Sequence, residues 1–215
     1  MSTYLDLKTY VANQLGNTDQ TTFDAQRDQF AINNARRDFY HRRKWSFLRK
    51  TATLTFAGGF APLPADFDKF FDPNFVYTFS GNVKYDYLPV EYSELQAYAA
   101  DCFVYAVDKV NSRIYTNQAS VTTLTLDYQY EVSDYTATDA TQNALVEAAP
   151  DITPIVLRAV ALFWLSSERS TSKYQLFNDQ YEQLTRRMEV MDAARTPQRF
   201  FGRPTFSKNG YQSRY

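Results

Sequence analysis

The sequence is poor in the residues on which secreted proteins and many enzymes depend. Cys102 is the one cysteine, so no disulfide can form within the chain and the fold needs no oxidising compartment. His41 is the one histidine. The formal net charge of −1 leaves no generally basic surface, which excludes a protein that coats nucleic acid with its whole surface. We expect a protein that is made and assembled in a reducing cytoplasm.

Long apolar runs are also missing. Residues 1–8 lack the basic-then-apolar order of a secretory signal. The longest apolar run, residues 155–165, is interrupted by Arg158 and is too short to span a bilayer. We therefore expect a soluble protein without a membrane partner.

Aromatic residues, by contrast, are abundant. The 215 residues include 17 tyrosines and 17 phenylalanines, while the apolar share of 44% and the charged share of 22% are ordinary for a globular protein. A chain of this length can bury a substantial core as one domain with an insertion or as two modest domains. Aromatic side chains are enriched at protein interfaces, which favours a role in binding other proteins.

Two helices are predicted at the amino-terminal end. Thr3 and Asp6 have the spacing of a helix cap, and Gly16 supplies the end of the first helix. Thr21 or Thr22 can cap a second helix that ends near Trp45. Its predicted apolar face consists of Ala25, Ile32, Ala35 and Phe39. Arginines occupy much of the remaining surface of this helix.

The middle of the chain is predicted to be rich in β-strands. From about residue 51 the apolar residues alternate, and Gly58-Gly59 then marks a turn. Ser93 can cap a short helix over residues 94–100. The strand-like runs are residues 51–56, 75–79, 83–87, 103–107, 113–115 and 121–130.

Helical patterns return after Pro150. Residues 155–165 are apolar on nearly every side, which predicts a central helix. The last helix carries an apolar stripe with alternating steps of three and four residues: Tyr174, Phe177, Tyr181, Leu184, Met188 and Met191. Packing in the core of the chain is the first interpretation of this stripe, and an intermolecular coiled coil is the alternative.

Together these patterns predict an α+β fold. Its core is an antiparallel helical bundle built from residues 1–50 and 150–195. A β-rich insertion covers residues 51–149, and an extended tail covers residues 196–215.

The tail has an unusual composition. From residue 193 onward the chain carries +5 without a carboxylate, so the preceding residues carry −6. Aromatic residues alternate with these charges: Phe200, Phe201, Phe206, Tyr211 and Tyr215. Disordered segments are usually poor in aromatic residues, so this composition predicts docking on a partner, with simple disorder as the alternative.

Residues for catalysis, metal binding or cofactor binding are not evident. His41 lies among arginines and Cys102 has no histidine near it in sequence, so we predict no catalytic residue. Gly58-Gly59 lacks the lysine of a phosphate-binding loop. Asp66, Asp68 and Asp72 fit a turn between strands better than an acid pair. We predict neither a metal nor a cofactor.

Residues 36–50 form a basic run. They include seven lysines or arginines and one acid, Asp38. The run could contact phosphates or acids on a neighbouring subunit, or could form a solvated face.

The order of several short motifs resembles head–tail adaptor, or connector, proteins of tailed bacteriophages. The motifs are residues 32–37 (INNARR), 43–51 (RKWSFLRKT), 63–67 (LPADF), 124–128 (LTLDY), 163–165 (FWL) and 181–184 (YEQL) with Met188. Together they extend over most of the chain.

The resemblance implies a structural virion protein at the head–tail junction. It implies a homo-oligomeric ring, typically of twelve copies, that binds the portal protein beneath the phage head. The ring would continue the DNA channel, without sequence-specific DNA binding, and present a platform for a tail, stopper or fibre protein. The implied activity is recognition rather than catalysis.

The resemblance also suggests roles for two groups of residues. Family members often use the carboxy-terminal segment to bind the portal, which would assign portal docking to Arg199, Phe200, Phe201, Arg203, Phe206 and Tyr211. In a ring, the arginine-rich second helix would contact acids of the neighbouring subunit through Arg36, Arg37, Arg42 and Arg43.

Two other functions stay open. A tail-side component, such as a tube or fibre-attachment protein, would act through the β-rich region. A nucleic-acid-binding module would show salt-sensitive DNA affinity that depends on the arginines of the second helix.

Overall fold

The computed structural model describes residues 2–16, 25–71, 76–99, 102–118, 120–136, 146–166 and 171–195. They form two compact units. A helical unit takes its residues from Met1–Leu48 and Val132–Pro197, and a β unit takes its residues from Arg49–Glu131. The division predicted at residues 50, 149 and 195 stays a prediction.

The helical unit contains four α-helices within the described residues. They are α1 (Tyr4–Gln14), α2 (Ala25–His41), α3 (Thr153–Ser166) and α4 (Thr171–Arg195). The predicted cap of α1 is confirmed, because the backbone N–H of Thr3 donates to Asp6 at 2.8 Å and the N–H of Asp6 donates to Thr3 Oγ1 at 3.4 Å. Gly16 has φ +71°, a conformation that suits the residue after a helix end.

Helix α3 is the central element of the helical unit. It packs against α1, α2 and α4. Ile155, Ala159 and Val160 on α3 are completely buried, which confirms the prediction from its nearly continuous apolar sequence. A helix that is apolar on most sides is stable only where other elements cover it, so α3 organises the other three helices.

Helix α2 confirms the predicted apolar face but ends earlier than expected. Ile32, Ala35 and Phe39 are buried. The helix ends at His41, and a short 3₁₀ helix (Ser46–Leu48) follows. The early end has a structural reason: the indole of Trp45 donates to the carbonyl oxygen of Phe39 at 3.0 Å and stacks on the Phe39 ring.

The β unit contains nine strands within the described residues. Their bounds are β1 Arg49–Thr55, β2 Phe60–Pro62, β3 Phe67–Phe70, β4 Val76–Ser80, β5 Val83–Asp86, β6 Leu88–Pro89, β7 Val104–Asp108, β8 Arg113–Thr116 and β9 Thr123–Tyr130. The first sheet has the order β1-β9-β4-β5, with β3 also paired to β9. The second has the order β2-β8-β7-β6. All pairs are antiparallel except β6 with β7.

The predicted strand-like runs correspond to six of these strands: β1, β4, β5, β7, β8 and β9. The sequence did not reveal β2, β3 and β6. Both β2 and β6 lie at sheet edges, are very short and contain a proline, so neither alternation nor composition marks them. The helix predicted over residues 94–100 is a 3₁₀ helix, Tyr92–Ala97. The Gly58-Gly59 turn is confirmed, with φ +66° and +83°.

The two sheets share one hydrophobic core. Residues from both sheets are buried together: Leu54, Phe56, Ala61, Val76, Tyr87, Tyr105, Ile114, Leu124, Leu126 and Tyr128. Because side chains alternate along a strand, Val104 and Ala106 of β7 point away from this core and pack with Leu95 of the 3₁₀ helix. The β unit therefore buries apolar surface of its own.

The predicted fold class, an antiparallel helical bundle core with a β-rich insertion and an extended tail, is wrong. Nine strands in two sheets form a compact unit of their own, and helices make up 44% of the described residues. Alternation along the sequence identifies strands but does not show whether they extend a connection between helices or form a unit of their own. In the structure they close around a core of their own, so the β unit is a major part of the architecture. The tail lies outside the described residues.

A matched pair of valines tests the importance of the β core. Val76 on β4 is completely buried, whereas Val83 on β5 is 54% exposed. We expect Val76→Ala to lower the free energy of unfolding of the β unit by about 1–3 kcal/mol, because apolar burial is lost. Val83→Ala should change it by less than about 0.5 kcal/mol. Chemical denaturation followed by circular dichroism measures both, and equal effects would contradict the assigned core.

Candidate functional site

The second helix carries a buried ion pair. Arg36 Nε donates to Glu147 Oε2 at 2.7 Å, and the two side chains are 2% and 0% exposed. The hydroxyl groups of Tyr40 and Tyr135 also donate to this carboxylate. The guanidinium of Arg36 lies 4.0 Å above the centre of the Tyr135 ring. Four side chains thus meet at one point beneath the surface of the helical unit.

This buried cluster joins α2 to two segments that are distant in sequence. Arg36 Nη1 donates to the carbonyl oxygen of Ser133 at 2.9 Å, and the N–H of Ala149 donates to the Tyr40 hydroxyl at 3.0 Å. Burial raises the pKa of Tyr40 well above its ordinary value, and the Glu147 carboxylate raises it further. Tyr40 therefore stays a neutral hydrogen-bond donor, and the cluster fixes the polypeptide on both sides of α2.

A second group of charges lies at the surface of α2, α3 and α4. Arg42 binds both oxygens of Glu182, at 2.8 and 2.9 Å, and also contacts Glu189 at 2.8 Å. Arg158 binds Asp38 at 2.7 Å. Arg42, Glu182, Arg158 and Asp38 line an open pocket of about 490 Å³, the charged pocket, together with Arg37, His41 and Tyr181. Its walls carry both signs of charge, as in a surface that meets a polar partner.

Hydrogen bonds from Arg42 lower the pKa of Glu182. The ion pair between them therefore contributes its full stability above the ordinary pKa of a glutamate. That contribution is lost as the pH falls through the lowered pKa of Glu182 in the folded protein. The pair is partly exposed, so its contribution is small and is screened by salt.

Arg43 and Asp192 hold the loop after α2 against α4. Arg43 Nη1 donates to the carbonyl oxygen of Glu189 at 2.6 Å, and its guanidinium lies 3.5 Å from Asp192. The Asp192 carboxylate accepts hydrogen bonds from the backbone N–H of Ser46, at 3.2 Å, and from its hydroxyl. The loop that contains Trp45 and Phe47 is thereby fixed beside the end of α4.

An apolar groove lies between this loop and α4. We call it the methionine groove; its volume is about 380 Å³ and its lining residues are Trp45, Ser46, Phe47, Pro150, Asp151, Leu184, Arg187, Met188, Met191 and Asp192. Met191 is 57% exposed. The volume falls within the range of pockets that bury compact ligands, and methionines adapt to varied apolar partners.

The residues of the predicted apolar stripe on the last helix differ in how deeply they are buried. Of the six stripe residues, Tyr181 alone is fully buried. Leu184 and Met188 are half-buried and Met191 is exposed, and all three line the methionine groove. The stripe therefore serves packing in its middle and leaves an accessible surface near the end of α4.

Four arginines were predicted to contact a neighbouring subunit. Each of them forms an ion pair with a carboxylate of the same chain. Arg36 binds Glu147, Arg42 binds Glu182 and Glu189, and Arg43 binds Asp192, while Arg37 binds Asp134. Arg37 has the most exposed side chain, at 56%. A role between subunits stays a prediction for all four.

The predicted portal-docking residues lie outside the described residues. They are Arg199, Phe200, Phe201, Arg203, Phe206 and Tyr211. The carboxylates that complete the charged clusters, Glu147 and Asp192, were not anticipated from the sequence. Each lies more than 100 positions from its arginine, and no local motif marks such a pair.

The one histidine and the one cysteine of the chain lie in different units. His41 is exposed at the charged pocket, and Cys102 is half-buried in the β unit. Within the described ranges, no group of three or more potential ligands could hold a metal ion. In that same part of the chain, none of the helices combines the length and the apolar character that crossing a membrane requires.

Glu147 and Glu182, which bind Arg36 and Arg42, form a matched test of the buried cluster. We expect Glu147→Gln to lower the free energy of unfolding by about 3–5 kcal/mol, because Arg36 then keeps a buried charge without its partner. Glu182→Gln should cost at most about 1 kcal/mol, because Arg42 is near the surface and keeps Glu189. Urea denaturation measures both, and a larger loss for Glu182→Gln would contradict the assignment.

Comparison with known proteins assigns the chain to a family. The family of the SU10 adaptor protein matches residues 2–200. No curated protein matches the sequence. The family match confirms the resemblance to phage head–tail adaptors that the sequence motifs indicated. It implies a structural, non-enzymatic protein at the head–tail junction of a phage virion. The chain belongs to the SU10 adaptor protein family, a family of phage head–tail adaptors.

Proposed function

We propose that this adaptor forms a homo-oligomeric ring that joins the portal of the phage head to the tail and continues the DNA channel. The observation that carries the proposal is the family match over residues 2–200. Twelve copies are expected, following the resemblance to connector proteins. The ring would present a platform to a tail, stopper or fibre protein on its other side.

Exposed apolar side chains on the helical unit support a repeated contact between copies. They are Leu5, Tyr10, Phe30, Leu165, Leu176 and Val190. Such side chains become buried when subunits associate. A ring closes when one heterologous contact repeats around an axis, so a modest contact between two copies is sufficient if all copies make it.

Of the four arginines proposed for contact with a neighbouring subunit, Arg37 is the best placed for a direct contact. Its side chain is the most exposed of the four, and its present partner, Asp134, is itself accessible. Arg36 is buried, and Arg42 and Arg43 are engaged with α4. These three arginines would act by holding α2 in the orientation that presents Arg37.

The composition of the tail supports portal docking. Its proposed docking residues are Arg199, Phe200, Phe201, Arg203, Phe206 and Tyr211, which combine aromatic and guanidinium groups. Such groups dominate the binding energy of protein interfaces.

The distribution of charge supports passage of DNA without strong binding. The chain has a net charge of −1. In the described part of the chain, basic side chains of both units are paired with carboxylates, among them Arg42, Arg49, Lys50, Lys84 and Arg158. Cations that are already paired with carboxylates displace few counterions from the phosphate backbone of DNA, so a channel lined by this protein would not retain DNA.

One observation favours a second candidate, a tail-side tube or fibre-attachment protein. Phe79 and Val83 are exposed at the end of the β4–β5 hairpin, where Ser80 pairs with Val83 around the Gly81 turn. Exposed apolar side chains beside a hairpin turn are suited to contact with a partner protein. In this alternative the β unit would make the principal contact.

Portal binding distinguishes the two candidates. We expect the full chain to form rings on the purified cognate portal in electron micrographs and to be retained in a portal pull-down. A chain that ends at Thr196 should lose this binding, because it lacks the docking residues. The double variant Phe79→Ser with Val83→Ser is the control and should still bind the portal. The tail-side candidate would be supported if the full chain does not bind the portal but binds isolated tails, and if the double hairpin variant loses the binding to tails.

Contacts between subunits can be tested at Arg37. We expect Arg37→Ala to reduce the fraction of closed rings on the portal, because the exposed guanidinium is lost. Asp134→Ala is the matched control, because it breaks the same ion pair within the chain but leaves Arg37 in place. Equal loss of rings in both variants would show that the ion pair within the subunit matters, rather than a contact between subunits.

A further inference from the structure

The methionine groove has an accessible apolar surface that the proposed portal and subunit contacts do not explain. Leu184, Met188 and Met191 of α4 form one wall, and the loop with Trp45 and Phe47 forms the other. The loop is fixed by the bonds of Ser46 to Asp192 and by Arg43, so the groove is preformed. A preformed apolar groove loses little entropy when an aromatic side chain enters it.

We infer that the groove of the free subunit binds Phe200 and Phe201 of the same chain. The position of the tail supports this occupant. Helix α4 ends at Arg195, and Met191 lies one turn earlier, about 6 Å along the helix axis at 1.5 Å per residue. The five residues from Arg195 to Phe200 can span up to about 17 Å. Phe200 and Phe201 can therefore return to the groove without displacing α4.

The start of the tail is suited to such a reversal. Pro197 follows the end of α4 by two positions, and a proline there cannot continue the helix. A proline at this position therefore favours a change of direction close to the groove.

The chemistry of the two partners is complementary. Aromatic rings make favourable contacts with methionine sulfur and with other aromatic rings, and the groove offers two methionines beside Phe47. Residues from 193 onward carry +5 and the rest of the chain carries −6. At the groove itself Asp151 is exposed and can accept a hydrogen bond from Arg199. Arg187 also lines the groove, so the apolar contact supplies most of the binding.

The occupied groove gives the tail two alternative positions. Phe200 and Phe201 cannot lie in the groove and on another protein at the same time. The groove therefore keeps two aromatic residues covered until a partner with higher affinity withdraws them. This arrangement goes beyond the proposed ring and does not depend on the identity of that partner.

Methionine labelling provides a direct test, because the chain contains three methionines and two of them line the groove: Met1, Met188 and Met191. Protein with ¹³C-labelled methionine methyl groups would be compared by NMR as the full chain and as a chain that ends at Thr196. The single variants Met188→Leu and Met191→Leu assign the signals with little change in volume.

In the full chain we expect the Met188 and Met191 methyl signals to lie upfield of their positions in the shortened chain, because aromatic rings lie above them. The Met1 signal should be the same in both. The double variant Phe200→Ala with Phe201→Ala should give the spectrum of the shortened chain. The matched control, Phe206→Ala with Tyr211→Ala, should keep the spectrum of the full chain. Identical Met188 and Met191 signals in the full and shortened chains would overturn the inference.

A mixing experiment separates the chain's own tail from that of another copy. Labelled chain ending at Thr196 would be mixed with unlabelled full chain. We expect its Met188 and Met191 signals to stay unchanged, because each full chain fills its own groove. Shifted signals would show that the groove accepts the tail of a second copy and would overturn binding within one chain. Neither experiment contains a portal, so its outcome is independent of whether the protein forms portal-bound rings.

Discussion

The helical unit depends on the ion pair between Arg36 and Glu147. Burying both charges is costly, and the cost is offset because the carboxylate also accepts hydrogen bonds from two tyrosines and the guanidinium stacks on one of them. The pair joins α2 to the segment that leads into α3, which in turn packs against the other helices. The surface arginines and the methionine groove keep their geometry because this buried connection fixes α2.

The two units are stabilised by different interactions. The helical unit combines a central apolar helix with buried and exposed ion pairs, and it carries the charged pocket and the groove. The β unit buries a core formed by two sheets and leaves aromatic and aliphatic side chains exposed at its turns, including Phe79 and Val83. A head–tail adaptor must bind different proteins on different surfaces, and separate cores allow each surface to change without disturbing the other.

Local features of this fold were predictable from the sequence, and features that depend on distant residues were not. The Thr3 cap, the face of α2 with Ile32 and Phe39, and six strands are marked by neighbouring residues. By contrast, Arg36 was placed on the open surface of α2, because a basic residue is normally exposed and Glu147 is far away in sequence. The predicted fold class, with a helical bundle as its core, is wrong for a related reason. Periodicity identifies strands, but it does not show that the strands enclose a hydrophobic core of their own. The sequence did not reveal the methionine groove, because the apolar stripe of α4 has the same pattern whether other residues cover it or leave it accessible. The family resemblance identified the adaptor role because it depends on the order of many short motifs.

The pairing of β1 with β9 has a consequence for how such adaptors can diversify. Arg49, the first residue of the β unit, lies opposite Gln129, close to its last residue, in the antiparallel register. The polypeptide therefore enters and leaves the β unit at adjacent positions. A unit whose ends are adjacent can be lengthened, shortened or exchanged by recombination with little effect on the path of the remaining chain. A phage lineage could change the surface of the β unit in this way while it retains the helices.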